Sequence, residues 1–262
     1  MMQHSTKHRS LAQRVALVLA VVIQVGSTFL PQLGFGEPIG KQSDSVRTLV
    51  TPIGWAFGIW GPLFLLSTGF VLWQLLPAQR DNALIDRIGW YAVVALASQG
   101  VWALYTQFAD LTWISVVIIA TSLVSLLAIL RVLTHLDRPM TGWERFLIGV
   151  TFSALAAWLT AANIVNTTAA LRFHGVGAGD TYPLLAAAIV AVGGVIAALA
   201  VLRSAGNPWY ALVFLWALWG IYNRGGQESG AVAVACGVSA LLVVIAAIVG
   251  LRHPANRKRW LG

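Results

Sequence analysis

Residues 146–170 have the sequence FLIGVTFSALAAWLTAANIVNTTAA, in which no side chain is charged. A helix needs about 20 mostly apolar residues to cross the hydrocarbon core of a bilayer. The few polar side chains of this stretch are amides and hydroxyls, which a neighbouring helix can pair by hydrogen bonding. The stretch therefore predicts a membrane-spanning helix.

Seven similar apolar stretches lie on either side of this segment. Of the 262 residues, 58% are hydrophobic and 10% are charged, whereas about 25% of the residues of a soluble domain are charged. This composition excludes a soluble enzyme, and the single cysteine, Cys236, excludes a disulfide framework or a cysteine-based metal site. We predict an all-α polytopic membrane bundle of about eight transmembrane helices, at 15–33, 53–76, 88–108, 112–134, 146–170, 183–202, 208–222 and 230–251. The stretch 208–222 is the shortest and barely spans a bilayer.

The distribution of basic residues predicts the orientation of these helices. If eight helices alternate in direction, thirteen of the 17 Lys and Arg residues fall on the side of the N-terminus, and the other side has Lys41, Arg47, Arg172 and Arg224. Cytoplasmic loops carry such an excess of positive charge. We therefore expect an integral protein of the bacterial inner (plasma) membrane with both termini in the cytoplasm. The net charge of +8 is scattered over helix ends, so we expect no binding of nucleic acid.

No ionisable side chain falls in the middle of a predicted helix. The five histidines and nine acidic residues lie in tails, in loops or at helix edges, although ion-coupled transporters usually have such a group within the membrane. We expect no metal site and no catalytic residue. The amides of Gln24, Gln99, Asn163 and Asn166 remain inside the predicted helices, where each either joins two helices or contacts a ligand.

Tryptophan is the other informative residue type. Five of the twelve tryptophans lie away from the predicted helix ends: Trp60, Trp102, Trp158, Trp216 and Trp219. They either pack the bundle or line a cavity, where an indole offers a flat face and an N–H donor. The long loop 34–52 is either a plain connector or a lid over such a cavity.

Four segments, in this order, resemble those of the TspO/MBR family of tryptophan-rich sensory or translocator proteins: Trp60-Gly-Pro-Leu-Phe64, Gln99-Gly-Val-Trp102, Trp113 and Ala157-Trp158-Leu-Thr-Ala-Ala-Asn163-Ile-Val-Asn166. The resemblance implies a five-helix core at 11–171 and a three-helix extension at 172–252. A cytoplasmic tail at 1–10 and a basic tail at 253–262 flank them. Gln99 stands where the family usually has asparagine, and Ala154-Leu155 replaces a Pro-Tyr pair.

The same resemblance implies a pocket in the five-helix core, next to the first loop, that binds porphyrin, another tetrapyrrole or a similar flat hydrophobic ligand. Its candidate ligand-binding residues are Trp60, Gln99, Trp102, Trp158, Ala162 and Asn166. A porphyrin or haem would be the ligand of a sensory, regulatory or transport protein, and no cofactor is required. Light-dependent degradation of porphyrin is an alternative.

A structural or assembly role in a membrane complex is a further alternative, because the last three helices are rich in small residues. We expect Gly193, Gly194 and the stretch 230–237 to allow close helix contacts. Such contacts serve either packing within the chain or a homodimer, which the resemblance also suggests.

Overall fold

The computed structural model describes residues 9–38, 41, 47–176 and 182–262, and every regular element in these ranges is helical. The longer helices are α1 (Leu11–Gly26), α2 (Trp60–Leu75), α3 (Ala83–Phe108), α4 (Trp113–Thr134), α5 (Gly142–Phe173), α6 (Tyr182–Arg203), α7 (Pro208–Tyr222), α8 (Gly230–Leu251) and α9 (Pro254–Trp260). A 3₁₀ segment, Ser27–Leu33, follows α1, and another, Gly54–Ile59, precedes α2. The predicted helical membrane bundle is confirmed. Within the described ranges, seven helical segments are long and apolar enough to cross a membrane, and α7, with 15 residues, is too short.

Three helices begin four or more residues before the apolar stretches that predict them. The Ser10 side chain accepts a hydrogen bond from the Gln13 backbone N–H, so α1 starts at Leu11 instead of 15. The Asn82 side chain accepts hydrogen bonds from the backbone N–H groups of Leu84 and Ile85, so α3 starts at Ala83 instead of 88. Thr141 and Glu144 form a capping box that starts α5 at Gly142 instead of 146. In each case charged residues near the start of the helix end the apolar run, and the capping hydrogen bonds satisfy backbone N–H groups of the first turn.

Helices α1 to α5 form a closed ring. Around the ring, α1 packs on α3, α3 on α4, α4 on α5, α5 on α2 and α2 on α1. The contact between α1 and α3 is close because a Cβ atom at Gly100 would lie 2.6 Å from the backbone of Ile23. The five helices leave a space at the centre of the ring, whereas the side chains of a four-helix bundle fill the corresponding space.

Helices α6, α7 and α8 pack against one side of the ring. Helix α7 is joined to α5 by two hydrogen bonds, from Tyr210 Oη to Thr160 Oγ1 (2.7 Å) and from Asn207 Nδ2 to Ser153 Oγ (2.7 Å). Helix α8 packs on both α6 and α7.

The small residues of these helices contribute unequally to packing. A Cβ atom at Gly194 of α6 would overlap Ser239 of α8, and one at Gly193 would overlap Ile164 of α5. Gly230 and Gly237 make no such close contact within the part of the chain that the structure describes, because a side chain at either position would meet no atom within 4 Å. Both glycines are exposed, and a contact in a homodimer stays a prediction for them.

The loops that hold most of the basic residues share one end of the bundle, which we call the basic end. There the Arg9 backbone N–H bonds the Arg80 carbonyl oxygen, and Trp260 Nε1 bonds the Ser204 carbonyl oxygen at 2.9 Å. At the opposite end, Arg47 forms an ion pair with Glu228. The alternation of loops on which the charge count depends is therefore present in the structure.

Helix α9 lies within the segment predicted as a basic tail. The Trp260 side chain is fully buried, its backbone carbonyl accepts a hydrogen bond from Trp209 Nε1, and Arg259 donates to the carbonyl oxygens of Leu133 and Thr134. This short helix thus connects the ends of α4 and α6 to the start of α7.

Replacement of Trp260 by alanine tests this connection. Loss of a buried tryptophan is expected to destabilise the protein by about 3–5 kcal/mol, measured by thermal unfolding in detergent. The control is Leu261→Ala at the neighbouring exposed position, where a change within about 0.5 kcal/mol is expected. If the two substitutions destabilise the protein equally, the buried Trp260 side chain of α9 does not hold these helix ends together.

Candidate functional site

The ring of α1 to α5 encloses two adjoining cavities. The larger has a volume of about 430 Å³ and is lined by Gln24, Thr28, Pro31, Gln32, Pro38, Trp60, Phe64, Gln99, Trp102, Ala103 and Gln107. The smaller, of about 40 Å³, is lined by Pro52, Phe57, Trp60, Trp102, Thr106, Leu111, Trp158, Ala161, Ala162, Val165 and Asn166. Trp60 and Trp102 line both cavities and form the boundary between them.

All six candidate ligand-binding residues line these two cavities. Gln99 lines the larger one, whereas Trp158, Ala162 and Asn166 line the smaller one. The other two tryptophans that lie away from the predicted helix ends do not line either cavity. Trp219 is more than half exposed, and Trp216 donates its indole N–H to the Ala56 carbonyl oxygen.

Aromatic rings form the wall between α2 and α5. The Trp158 ring meets the rings of Trp60 and Phe57 edge to face, with both centroid distances 6.0 Å, and Trp60 stacks on Phe64 at 5.3 Å. Trp158 is buried, whereas Trp60 is half-buried. Edge-to-face contacts hold the Trp158 ring in a defined orientation, so the cavity wall is preformed.

A chain of hydrogen bonds joins α1, α3 and α4 at the larger cavity. Gln99 Nε2 donates to the Ala95 carbonyl oxygen and to Ser122 Oγ, both at 3.1 Å. Gln99 Oε1 must therefore accept, and it does so from Gln24 Nε2 at 2.8 Å. This order determines the orientation of both amides, because a carbonyl oxygen can only accept.

Four buried polar atoms of the lining residues have no hydrogen-bond partner: Gln24 Oε1, Gln107 Oε1, Trp102 Nε1 and Trp158 Nε1. The Gln107 amide is oriented by its Nε2 atom, which donates to the Ser27 carbonyl oxygen at 2.9 Å. Buried polar groups are almost always paired, and leaving one unpaired costs about 1–3 kcal/mol. The residues that line the cavities thus carry two unpaired acceptors and two unpaired donors, which a rotation of their side chains could turn towards a bound molecule.

The two asparagines of α5 have partners on neighbouring segments. The Asn166 side-chain amide and Ser115 Oγ of α4 exchange hydrogen bonds at 3.0 and 3.2 Å. Asn163 Nδ2 donates to the carbonyl oxygens of Leu159 and, on α4, Ile119. The structure therefore shows both asparagine amides in one of the two predicted roles, which is hydrogen bonding between helices.

One face of α3 contributes more to the site than the sequence analysis identified. Gln99, Trp102, Ala103, Thr106 and Gln107 follow the spacing i, i+3, i+4, i+7 and i+8 of a single helix face, and all five line the cavities. Continuing the pattern from Gln99 and Trp102 for one more turn would have found Gln107. Phe57 and Pro52 carried no comparable signal because they precede α2.

Both described ends of the loop 34–52, for which a connector and a lid are the two alternatives, reach the cavities. The Glu37 backbone N–H bonds the Gln107 carbonyl oxygen at 2.9 Å, and Gly36, with φ of +73°, packs directly on Gln107. Pro38 lines the larger cavity and Pro52 the smaller one. Residues 39–40 and 42–46 of this loop lie outside the described residues.

Helix α7 holds the second end of this loop in place. The Ile53 backbone N–H bonds the Gly220 carbonyl oxygen at 3.0 Å, and Arg224 donates to the Pro52 carbonyl oxygen. A Cβ atom at Gly220 would lie 2.7 Å from Ala56, so the two segments approach closely. The three-helix extension therefore supports a wall of the smaller cavity.

Among the described residues, those that line the two cavities have no titratable side chain, so this lining is electrically neutral. Among the residues that the structure describes, no three His, Cys, Asp or Glu side chains cluster in a way that could hold a metal ion. A lining of indoles, amides and small apolar groups suits an uncharged, largely apolar molecule with a few hydrogen-bonding atoms.

The comparison with known families adds to this geometry. Residues 10–249 match the family described as TSPO-like protein. The chain belongs to this family. The match covers α1 to α7 and nearly all of α8, so it includes the three-helix extension. No curated protein and no solved structure matches the chain. The family and the apolar helices together identify an integral membrane protein.

The amide chain can be tested by a double-mutant cycle. Gln99→Leu removes the acceptor of Gln24 Nε2, so a loss of about 1–2 kcal/mol of stability is expected. In Gln24→Leu/Gln99→Leu both partners are replaced, and the combined loss is expected to be smaller than the sum of the single losses by about 0.5 kcal/mol or more. The free energy of unfolding in detergent is measured for Gln24→Leu, Gln99→Leu and the double variant. Additive losses would contradict a direct bond between the two amides.

The contact between the first loop and α3 is tested at two glycines. A Cβ atom at Gly36 would lie 2.9 Å from the Gln107 Cβ atom, whereas one at Gly34 would meet no atom within 4 Å. Both glycines have positive φ, so Gly34→Ala controls for backbone strain. Gly36→Ala is expected to accelerate hydrogen exchange of the amides at 103–109, and Gly34→Ala to leave it unchanged. Equal acceleration would show that the loop does not rest on Gln107.

Proposed function

We propose that the protein binds a flat hydrophobic ligand, with a tetrapyrrole such as protoporphyrin as the leading candidate, in the two cavities joined at Trp60 and Trp102. One observation supports this most directly. Residues lining the cavities hold four buried polar atoms that lack a partner, and a bound molecule could pair them. The role is that of a sensory, regulatory or transport protein in the bacterial inner membrane, with both termini in the cytoplasm.

The ligand class follows from the shape and chemistry of the lining. Trp60 stacks on Phe64, and Trp102 lies on the opposite helix α3, so aromatic faces are available on two sides of the larger cavity. Flat aromatic molecules bind well against such faces. A free-base porphyrin keeps its two N–H groups inside the macrocycle, so the groups that could pair with the unpaired glutamine oxygens and indole N–H groups are its propionic acids. No cation among the described residues lines either cavity, so a propionic acid that enters would have to be protonated.

The lining residues do not include histidine, cysteine, methionine or tyrosine, the usual protein ligands of haem iron. The proposal therefore does not depend on iron. Haem would be held by its ring face alone, so protoporphyrin and haem are expected to bind with similar affinity.

The experiment is a titration of the purified protein in detergent with protoporphyrin and with haem, following tryptophan fluorescence and the Soret band. Trp158→Phe keeps an aromatic ring and removes the unpaired N–H, so protoporphyrin binding is expected to weaken about fivefold, as for the loss of one hydrogen bond. Trp219→Phe is the matched control, because Trp219 lies outside both cavities and is 54% exposed.

A second pair of variants separates ligand contact from packing. Ala162→Phe places a ring in the smaller cavity and is expected to abolish binding while changing the unfolding temperature little, because Ala162 is half-buried. Thr167 lies on the same helix and lines a groove facing α6. The Thr167→Phe variant is therefore expected to bind protoporphyrin like the wild type.

Three results would contradict the proposal: no saturable binding, equal binding by Trp158→Phe and Trp219→Phe, or equal loss in both α5 variants. Parallel titrations in darkness and under illumination address the enzyme alternative. A porphyrin product that forms only in light, and that disappears in Trp60→Phe or Trp158→Phe, would identify a degrading activity instead.

A further inference from the structure

A second cleft lies at the basic end of the bundle, and none of its lining residues lines the two cavities of the first site. It lies between the C-terminal turns of α4 and α6 and has a volume of about 710 Å³. Because α4 belongs to the five-helix ring and α6 to the extension, neither part of the chain forms this cleft alone.

The walls of the cleft change in character along the helix axes. Leu127, Ile196 and Leu199 line its deeper part, and each is at least 40% exposed. Arg131 and Arg203 line its outer part, one on the last turn of each helix. An apolar floor inside the membrane with cations at the membrane surface follows the polarity of a phospholipid.

The two arginines differ from others at the helix ends. Arg138 pairs with Glu144, and Arg47 pairs with Glu228. For Arg131 and Arg203, in contrast, the described residues provide no carboxylate partner, and no acidic residue lines the cleft. Arg259 adds a third positive charge nearby, since its guanidinium bonds the carbonyl oxygens of Leu133 and Thr134.

The apolar floor continues beyond the cleft. A groove of about 360 Å³ between α5 and α6 shares Ile196 with the cleft and continues past Val192 to Ala188. Residues 188 and 196 are eight apart on α6, which corresponds to about 12 Å along a helix. The shared lining residue makes the cleft and the groove neighbours along the membrane-facing surface.

We propose that this cleft binds one anionic phospholipid, with the phosphate between Arg131 and Arg203 and an acyl chain along α6 towards Val192. Guanidinium groups form paired, charge-assisted hydrogen bonds with phosphate oxygens. The lipid would bridge the ring and the extension at the basic end, where the chain itself leaves an opening. This site is separate from the tetrapyrrole cavities and does not depend on the function proposed for them.

A lipid fits better than a soluble anion or a protein partner. A free phosphate would use the two arginines and leave the apolar floor and the groove empty. A protein segment would have to enter the membrane to reach Leu127 and Ile196, which lie within the spanning helices α4 and α6. Only a lipid contains both the anionic group and the long apolar chain.

The test is native mass spectrometry of the full-length protein titrated with dioleoyl phosphatidylglycerol or dioleoyl phosphatidylcholine. One phosphatidylglycerol is expected to bind at least about tenfold more tightly than phosphatidylcholine. The double variant Arg131→Gln/Arg203→Gln is expected to weaken phosphatidylglycerol binding about thirtyfold, which corresponds to the loss of two cations at a membrane surface. Arg80→Gln/Arg87→Gln removes the same charge from exposed positions at the same end and is expected to have no effect. Arg131→Lys/Arg203→Lys keeps the charge and is expected to retain most of the binding.

The acyl chain is tested separately. Leu199→Trp fills the cleft and is expected to weaken phosphatidylglycerol binding, whereas Leu202→Trp, similarly exposed on the same helix and outside the cleft, is expected to be neutral. Three results would overturn the proposal. They are equal binding of the two lipids, equal loss in the two arginine double variants, and saturation of the site by inorganic phosphate with no effect of Leu199→Trp.

Discussion

The hydrogen bonds between Gln24, Gln99 and Ser122 are the constraint on which the five-helix ring depends. In a membrane no water is available to pair a buried amide, so the helices must rotate until such groups meet. Once Gln99 faces Gln24 and the Ala95 carbonyl oxygen, the same face of α3 turns Trp102 and Gln107 towards the centre of the ring. The contact that holds the helices together thereby also orients the lining of the cavity.

Two of the described amides that line the larger cavity are incompletely paired. The Gln99 amide nitrogen and oxygen both have partners, within α3 and on α1 and α4, whereas Gln24 and Gln107 each keep one oxygen without a partner. Closing the cavity by a small shift of the helices would require new partners for these oxygens. The aromatic wall resists that shift, since Trp158 is held edge to face by Trp60 and Phe57. The extension adds a second support, because α7 holds the segment that contains Pro52.

Much of the fold could be predicted because a membrane helix requires a long apolar run. The first turns of α1, α3 and α5, which have charged residues near the helix start, did not meet that criterion. Helix α9 did not meet it either, since it has seven residues and a basic surface with one buried tryptophan. The six candidate residues could be placed around one centre from the order of their motifs. Gln107 could have been added by following the same face of α3, but the unpaired atoms could not be predicted, because whether an amide is paired depends on the three-dimensional positions of Ser27 and Ser122. The contact between α7 and residues 52–56 could not be predicted either, since it joins groups at least 160 residues apart along the chain.

We propose that the unpaired atoms of the residues around Trp60 and Trp102 pair with a bound ligand. An experimental structure of the protein with protoporphyrin, determined in a lipid nanodisc, tests it most directly. The account predicts ring density between Trp60 and Trp102, with Gln107 Oε1 or Gln24 Oε1 within hydrogen-bond distance of the ligand. Density confined to the outer surface of the helices, with the cavities closed by movement of Trp102 or Gln107, would contradict it.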